Sequence, residues 1–125
     1  MLRVKTKLDK SLISGIGLFA DQYIKQGDIV WQQSVLSVLV ISKDEYGKLP
    51  EIDQIFLKDK DYYWIDNGDY IIPIDDCRFI NHSYFPNVID QNDISIAAKN
   101  IDIGEELTMD YRTLIPQEQW ESYFS

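Results

Sequence analysis

Alternating apolar and polar positions begin near the start of the chain and recur along much of its length. Residues 2–8, LRVKTKL, alternate and so predict a half-buried strand. Residues 29–41, IVWQQSVLSVLVI, are rich in β-branched and aromatic side chains and predict one or two strands. Residues 62–74 are strand-like again, and the Asn67-Gly68 pair at their centre is a strong signal for a hairpin turn.

Tight turns and two shorter apolar stretches extend this β pattern. Gly15 and Gly17, in SGIGLFA, permit a tight turn into the apolar residues that follow them. Residues 94–97 and 107–109 predict two further short strands, and residues 103–105, Ile-Gly-Glu, supply a turn between them.

Signals for helices are few. Ser42 followed by Glu45 is a capping-box pattern, which predicts a short helix near residues 43–49 that Pro50 then ends. Many short strands with little helix predict a compact, mainly β domain.

The segment 116–125 ends the chain with aromatic residues. Pro116 marks the start of a predicted helix. Trp120, Tyr123 and Phe124 follow at a spacing that puts them on one face of that helix.

Length and composition agree with one globular domain, residues 1–125. A chain of 125 residues with 45% hydrophobic residues can bury a core without metal or disulfide staples. It contains no apolar run long enough to span a bilayer, and its first residues lack the apolar region of a signal peptide. We therefore expect a soluble, cytoplasmic protein with no membrane partner, and the same observations are compatible with a nuclear or host-cell location.

The net charge of −9 restricts the class of partner. Direct nucleic-acid binding requires a basic surface, so we expect none. An acidic surface attracts and steers a cationic partner, although acidic charge also simply keeps a small protein soluble.

A single cysteine and a single histidine restrict the chemistry further. Cys77 is the single cysteine and cannot close an intrachain disulfide. Because the chain also has a single histidine, His82, we expect no metal site. A serine or cysteine nucleophile would need His82 as its base, and Ser83 is only its chain neighbour. The GIG sequence lacks the rest of a phosphate-binding loop, and no pair of acidic residues stands out as a hydrolase pair.

Three further segments stand out. Each segment alone has an ordinary structural explanation, but such explanations do not account for the three occurring together. They are GIGLFA at 15–20, RFINHSYFPN at 78–87 and GEELTMDY at 104–111. In this order and spacing they closely resemble the SET-domain family of protein lysine methyltransferases, and the resemblance covers nearly the whole chain.

The resemblance implies a fold, a cofactor and a reaction. The implied fold is the SET-domain fold, or β-clip, in which several short curved β-sheets and a few short helices surround a C-terminal pseudoknot. Its core would span about residues 3–112, with the aromatic segment at about 116–125 following. The implied cofactor is S-adenosylmethionine, and the implied reaction moves its methyl group to the ε-amine of lysine in a basic protein, histone-like or ribosomal.

The resemblance also assigns residues to the cofactor. Asn81 and His82 would sit at the threaded crossing and bind it partly through backbone groups, so His82 need not act as a base. Packing of the C-terminal helix is an equally good explanation for Trp120. The full set of cofactor residues implied in this way is Ile16, Gly17, Leu18, Arg78, Phe79, Asn81, His82, Tyr111 and Trp120.

Tyr111 matches the catalytic tyrosine of the family. A phenol has a pKa of ~10 and is a poor base at neutral pH, so we assign Tyr111 to orienting the amine and stabilising the sulfonium. The proton of the lysine would go to water, because an apolar channel beside a sulfonium lowers the pKa of the lysine. Tyr63 is expected to line the lysine channel, with Tyr62 as the alternative, and Met109 would give a roomier pocket that tends toward multiple methylation.

The chain departs from the family at Met109, where many members carry Phe or Tyr, and in two other places. It lacks the cysteine-rich zinc-binding flanks of many histone methyltransferases, and IPIDDC replaces the Gly-Asn that usually precedes the RFINHS segment. It therefore resembles a minimal, free-standing SET domain of bacterial or viral type. A catalytically weak module that binds a peptide or protein partner is the alternative function, and homodimerisation that completes the substrate groove is compatible with either reading.

Overall fold

The computed structural model describes residues 1–60, 64–91 and 93–114. Within them, ten short strands form four small sheets. Two short α-helices and one 3₁₀ turn lie between the strands, and a second 3₁₀ turn follows the tenth strand. This agrees with the mainly β class expected from the sequence.

The elements follow one another with short connections. In chain order the strands are β1 (Thr6–Lys10), β2 (Ile16–Ala20), β3 (Ile29–Gln32), β4 (Val38–Ile41), β5 (Trp64–Asp66), β6 (Asp69–Pro73), β7 (Asn81–His82), β8 (Val88–Gln91), β9 (Ile94–Ala97) and β10 (Thr108–Met109). The helices are α1 (Lys43–Lys48) and α2 (Glu51–Lys60), and the 3₁₀ turns are Asp76–Phe79 and Tyr111–Thr113.

Three of the sheets are antiparallel and one is parallel. β1 pairs with β2, β9 lies between β3 and β8, and β6 lies between β4 and β5. The parallel sheet consists of β7 and β10 alone, with Asn81 opposite Thr108 and His82 opposite Met109.

The first strand begins later than the alternation predicts. The prediction was residues 2–8, whereas β1 spans Thr6–Lys10 and Leu2 makes only an isolated bridge to Trp31. The hairpin turn explains the shift, because Ser11 N–H donates to the Gly15 carbonyl and β1 therefore runs up to Lys10. Gly15 has a φ of 49°, a left-handed conformation that glycine adopts without a Cβ clash.

Two serines divide the apolar stretch 29–41 into β3 and β4. The Ser37 hydroxyl is buried and donates to the Ser34 carbonyl, while Ser34 N–H donates to that hydroxyl at 2.7 Å. These local bonds compete with strand pairing, so the chain turns between the two strands.

The predicted capping box is present, but a second helix follows it that the sequence pattern did not predict. In α1 the Ser42 side chain accepts from Glu45 N–H and the Glu45 side chain accepts from Ser42 N–H. Pro50 ends this helix as predicted, and it also begins α2, because its carbonyl accepts from Asp53 N–H and Gln54 N–H.

The hairpin predicted at Asn67-Gly68 joins β5 to β6. Both turn residues have positive φ, 51° and 86°, as a type I′ turn requires. The first two residues of the predicted stretch 62–74 and the predicted C-terminal helix at 116–125 lie outside the described residues.

The apolar core and residues 104–109 hold the sheets together. Fully buried residues from separate elements form one cluster, which includes Leu18, Ile24, Val30, Val88, Ile101 and Leu107.

Residues 104–109 pass between two strands: Leu107 N–H donates to the Leu18 carbonyl of β2 on one side, and β10 pairs with β7 on the other. The buried Asn87 side chain fastens this segment, because its amide donates to the Glu106 carbonyl and its oxygen accepts from Thr108 N–H, each at 2.8 Å.

Replacing Asn87 by alanine should lower the free energy of unfolding by about 2–4 kcal/mol, since two buried backbone groups lose their partners. Urea unfolding followed by circular dichroism measures this change. Asn100→Ala is the matched control, because the Asn100 oxygen accepts from Gln26 N–H at an exposed position. Equal losses in the two variants would contradict the role given to Asn87.

Candidate functional site

The three sequence motifs meet at the crossing of residues 104–109 with β2 and β7. The Asn81 side chain contacts the carbonyl of Ile16, and the His82 ring contacts the backbone of Tyr111. Gly17 lies against the side chain of Glu106. Residues that are far apart in the sequence therefore form one polar corner.

The Asn81 amide is surrounded by acceptors. Its nitrogen lies 3.1 Å from the Ser11 hydroxyl, 3.0 Å from the Ser14 carbonyl, 3.4 Å from the Ile16 carbonyl and 3.0 Å from Glu106 Oε2. An amide nitrogen has only two hydrogens, so acceptors outnumber donors here. The four acceptors also assign which end of the amide is nitrogen.

Ser11 and Glu106 complete this corner, and the sequence reading assigned no role to either. The Ser11 hydroxyl is 2.8 Å from both carboxylate oxygens of Glu106 and accepts from Ile13 N–H and Ser14 N–H. Ser11 is thus buried at the base of the loop that enters β2. The only sequence signal for Glu106 is its position inside GEELTMDY, and Ser11 gives no signal.

Gly17 is required here by close packing. A Cβ at this position would lie 2.6 Å from Glu106 Oε2, 2.8 Å from Glu106 Cδ and 3.1 Å from Ser11 Cβ. The missing side chain of Gly17 therefore lets a carboxylate approach the backbone of β2.

His82 is held as a neutral imidazole. Its Nδ1 accepts from Tyr111 N–H at 3.0 Å, so in this geometry the ring proton is on Nε2. Desolvation by burial lowers the pKa of His82 below its ordinary value; the Asp110 carboxylate, 3.9 Å from Nδ1, opposes this and the Arg112 cation adds to it. The ring also makes an edge-to-face contact with Tyr84, with centroids 4.5 Å apart.

Tyr111 is positioned at both ends. Its backbone N–H donates to His82, and its hydroxyl donates to the Ile80 carbonyl at 2.5 Å. Asp110 precedes it as the cap of the 3₁₀ turn and accepts from Arg112 N–H at 3.0 Å. Because the phenol O–H donates a hydrogen bond to the Ile80 carbonyl, the lone pairs of the phenol oxygen remain as acceptors.

An ion pair stabilises the turn that carries Tyr111. The Arg112 guanidinium donates to both oxygens of Asp110 and lies over the Tyr84 ring, 4.7 Å from its centroid. The hydrogen bonds from Arg112 lower the pKa of Asp110 below its ordinary value, so this carboxylate stays charged at neutral pH.

The other residues assigned by resemblance lie in different surroundings. The Ile16 side chain is 53% exposed beside Asn81, whereas Leu18 and Met109 are buried in the core. Arg78 is exposed and its guanidinium lies 5.0 Å from the Phe79 ring centroid, in the turn just before β7. Tyr62, Tyr63 and Trp120 lie outside the described residues, so these assignments stay predictions.

Metal-binding and membrane-spanning features are absent from the part of the chain that the structure describes. There, no three His, Cys, Asp or Glu side chains group in a way that could hold a metal ion. No described helix combines the length and the apolar character needed to cross a membrane. Burial and a hydrogen bond to Asp75 raise the pKa of the Cys77 thiol. The raised pKa disfavours a reactive thiolate.

Comparisons with known proteins identify the family of the chain. The family model for the SET domain matches residues 15–112. No curated protein sequence gives a significant match.

Solved structures share the fold at low sequence identity. A candidate histone methyltransferase of Plasmodium falciparum has a TM-score of 0.65 and 21% identity, over 88% of this chain and 95% of that chain. Polycomb Repressive Complex 2 of Chaetomium thermophilum, autoinhibited and bound to S-adenosylmethionine, has a TM-score of 0.68 and 22% identity. That match covers 96% of this chain but 16% of the other, so this chain spans a small part of the Polycomb protein.

The lowered pKa of His82 can be measured directly because it is the sole histidine. We expect nuclear magnetic resonance titration of the folded protein to give a value below ~6.5 and the Nε2–H tautomer. Because the unfolded chain binds this proton more readily, the contribution of His82 to stability is fully present above about pH 6.5. It is lost as the pH falls through the folded-state pKa. A value above ~6.5, or a proton on Nδ1, would contradict the hydrogen bond from Tyr111.

Proposed function

The chain belongs to the SET-domain family, and from that membership we propose that it is a protein-lysine methyltransferase that uses S-adenosylmethionine. The observation that carries the proposal is the double anchoring of Tyr111, by His82 through its backbone and by Ile80 through its hydroxyl. A tyrosine held in this way presents fixed acceptor lone pairs, which suits the alignment of an amine for in-line transfer.

The corner around Asn81 fits the proposed cofactor. Acceptors from Ser11, Ser14, Ile16 and Glu106 outnumber the two amide hydrogens, and one of these acceptors is a carboxylate. Such a corner favours a cationic ligand. S-adenosylmethionine has two cationic groups and one carboxylate, and when bound it supplies an activated methyl group.

We assign the cofactor mainly to the backbone of Ile16 and Gly17 and to Asn81 and His82. Arg78 and Phe79 would line the same wall from the turn before β7. Leu18 could contribute only its backbone, since its side chain is fully buried in the core. Trp120 is proposed to cover the cofactor from beyond the described residues.

Tyr111 is proposed to orient the lysine amine and to stabilise positive charge near the methyl group. Its oxygen accepts from the amine, while its own O–H keeps its proton and donates a hydrogen bond to the Ile80 carbonyl. The amine must be neutral to react, and an apolar channel lowers the pKa of a lysine by desolvation. Tyr63 and Met109 are proposed to line that channel, and the proton leaves to water.

His82 is proposed to position Tyr111 and to take no proton. Its Nδ1 lone pair already accepts from Tyr111 N–H, so this nitrogen is not available as a base. The single imidazole of the chain is therefore proposed to hold the backbone of Tyr111 in place.

The proposed substrate is a lysine-bearing segment of a basic protein, histone-like or ribosomal. The net charge of −9 supports this class, because an acidic enzyme attracts a cationic segment over long range. The same charge disfavours direct contact with nucleic acid.

Tyr111→Phe should reduce methyl transfer by roughly 10²-fold or more, because the amine loses its acceptor. The assay is transfer from isotopically labelled S-adenosylmethionine to a panel of basic proteins, read by mass spectrometry. Tyr46→Phe is the matched control, since the Tyr46 hydroxyl donates to the Gln54 carbonyl in the helical region.

Two results would contradict the enzyme proposal. One is label on lysine that persists in Tyr111→Phe at the wild-type rate. The other is an absence of both transfer and cofactor binding, the latter measured by calorimetry, in the folded wild-type protein. In that case the alternative of a partner-binding module would account for the fold, and partner binding should survive Tyr111→Phe.

A further inference from the structure

We infer that Glu106 is a positioning residue whose charge makes the site prefer the cationic cofactor over its neutral product. The inference rests on the proposed function, since it concerns the same site. It assigns a task to a side chain that neither the sequence motifs nor the chemistry of Tyr111 explains.

Glu106 contacts both segments proposed to bind the cofactor. Its Oε2 accepts from the Asn81 amide at 3.0 Å. The same oxygen lies 2.6 Å from the point where a Cβ of Gly17 would stand. Any ligand that contacts the backbone of Gly17 and the amide of Asn81 is therefore close to this carboxylate.

The hydrogen bonds of Glu106 are those of a carboxylate. Both of its oxygens accept from the Ser11 hydroxyl, and one accepts from Asn81. Both partners are neutral, so they hold the negative charge in place without cancelling it. Ser11 in turn is held by Ile13 N–H and Ser14 N–H, which ties the carboxylate to the loop before β2.

Among the side chains that the structure describes, no lysine, arginine or histidine forms an ion pair with Glu106. The ion pairs found there are those of Asp110 with Arg112 and with His82. The charge of Glu106 is thus left to act on a ligand. Its partial burial also reduces screening by water, so the effect is larger than at an exposed position.

The proposed reaction changes the charge that Glu106 faces. Transfer of the methyl group from sulfur to the lysine nitrogen leaves the electron pair of the broken carbon–sulfur bond on sulfur. The new carbon–nitrogen bond carries the positive charge to the amine, whose extra proton goes to water. A sulfonium with net positive charge thereby becomes a thioether with no net charge. Glu106 would attract the sulfonium charge, which only the first ligand carries, whereas both ligands keep the same ammonium group; this difference favours release of S-adenosylhomocysteine.

The test compares dissociation constants for S-adenosylmethionine and S-adenosylhomocysteine, measured by calorimetry at low ionic strength. In Glu106→Gln, which keeps an acceptor oxygen and loses the charge, the preference for S-adenosylmethionine should fall by about tenfold. Glu105→Gln is the matched control, because it removes the same charge from the adjacent, exposed residue. Its preference should equal that of the wild type.

Two further variants separate charge from shape. Ser11→Ala keeps the carboxylate and removes its hydroxyl partner, so both affinities should fall by similar factors and the preference should persist. Glu106→Asp keeps the charge on a shorter side chain and should also retain the preference, which makes the test independent of whether Glu106→Gln folds.

The outcomes distinguish the inference from the proposed function. An unchanged preference in folded Glu106→Gln, or a lost preference in Glu106→Asp, would overturn the inference while leaving the methyltransferase intact. A wild-type protein that binds neither ligand would instead overturn the proposed function on which the inference rests.

Discussion

Backbone hydrogen bonds on both sides of residues 104–109 are the interaction on which the rest of the structure depends. On one side this segment bonds to β2, and on the other it pairs with β7. Each sheet in the described part of the chain has two or three short strands, which is too small to bury its apolar face alone, so the core forms where these segments meet. The same bonds bring Glu106 next to Gly17 and Tyr111 next to His82. The site therefore forms where residues 104–109 cross β2 and β7.

The site divides its tasks between two kinds of interaction. Around Tyr111 the contacts are directional: a backbone donor, a carbonyl acceptor and a capped turn fix where one phenol oxygen lies. Around Asn81 the arrangement is electrostatic, with a carboxylate, two carbonyls and a hydroxyl facing one amide. Positioning and charge selection can thus be altered separately, although the two corners share β7.

What could be predicted from the sequence was local or carried by a whole motif. The Asn67-Gly68 turn and the Ser42–Glu45 capping box are decided by residues within a few positions, and both are confirmed. Contacts across long separations could not be inferred from pattern, as the bond between Ser11 and Glu106 illustrates. β7 and β10 contain too few residues for any periodicity. Pro50 predicts the end of α1, whereas its carbonyl also accepts the first hydrogen bonds of α2, which the sequence pattern does not predict.

The crossing also has a consequence for how the protein is made. Because β10 pairs in parallel with β7, a nascent chain that ends before residue 104 has β2 and β7 without their later partners. Unpaired strand edges of this kind are prone to pair with other chains. Closing contacts of such high sequence separation is also slow. The segment that completes the site is therefore synthesised after both strands to which it bonds, and their edges stay unpaired until residues 104–109 dock.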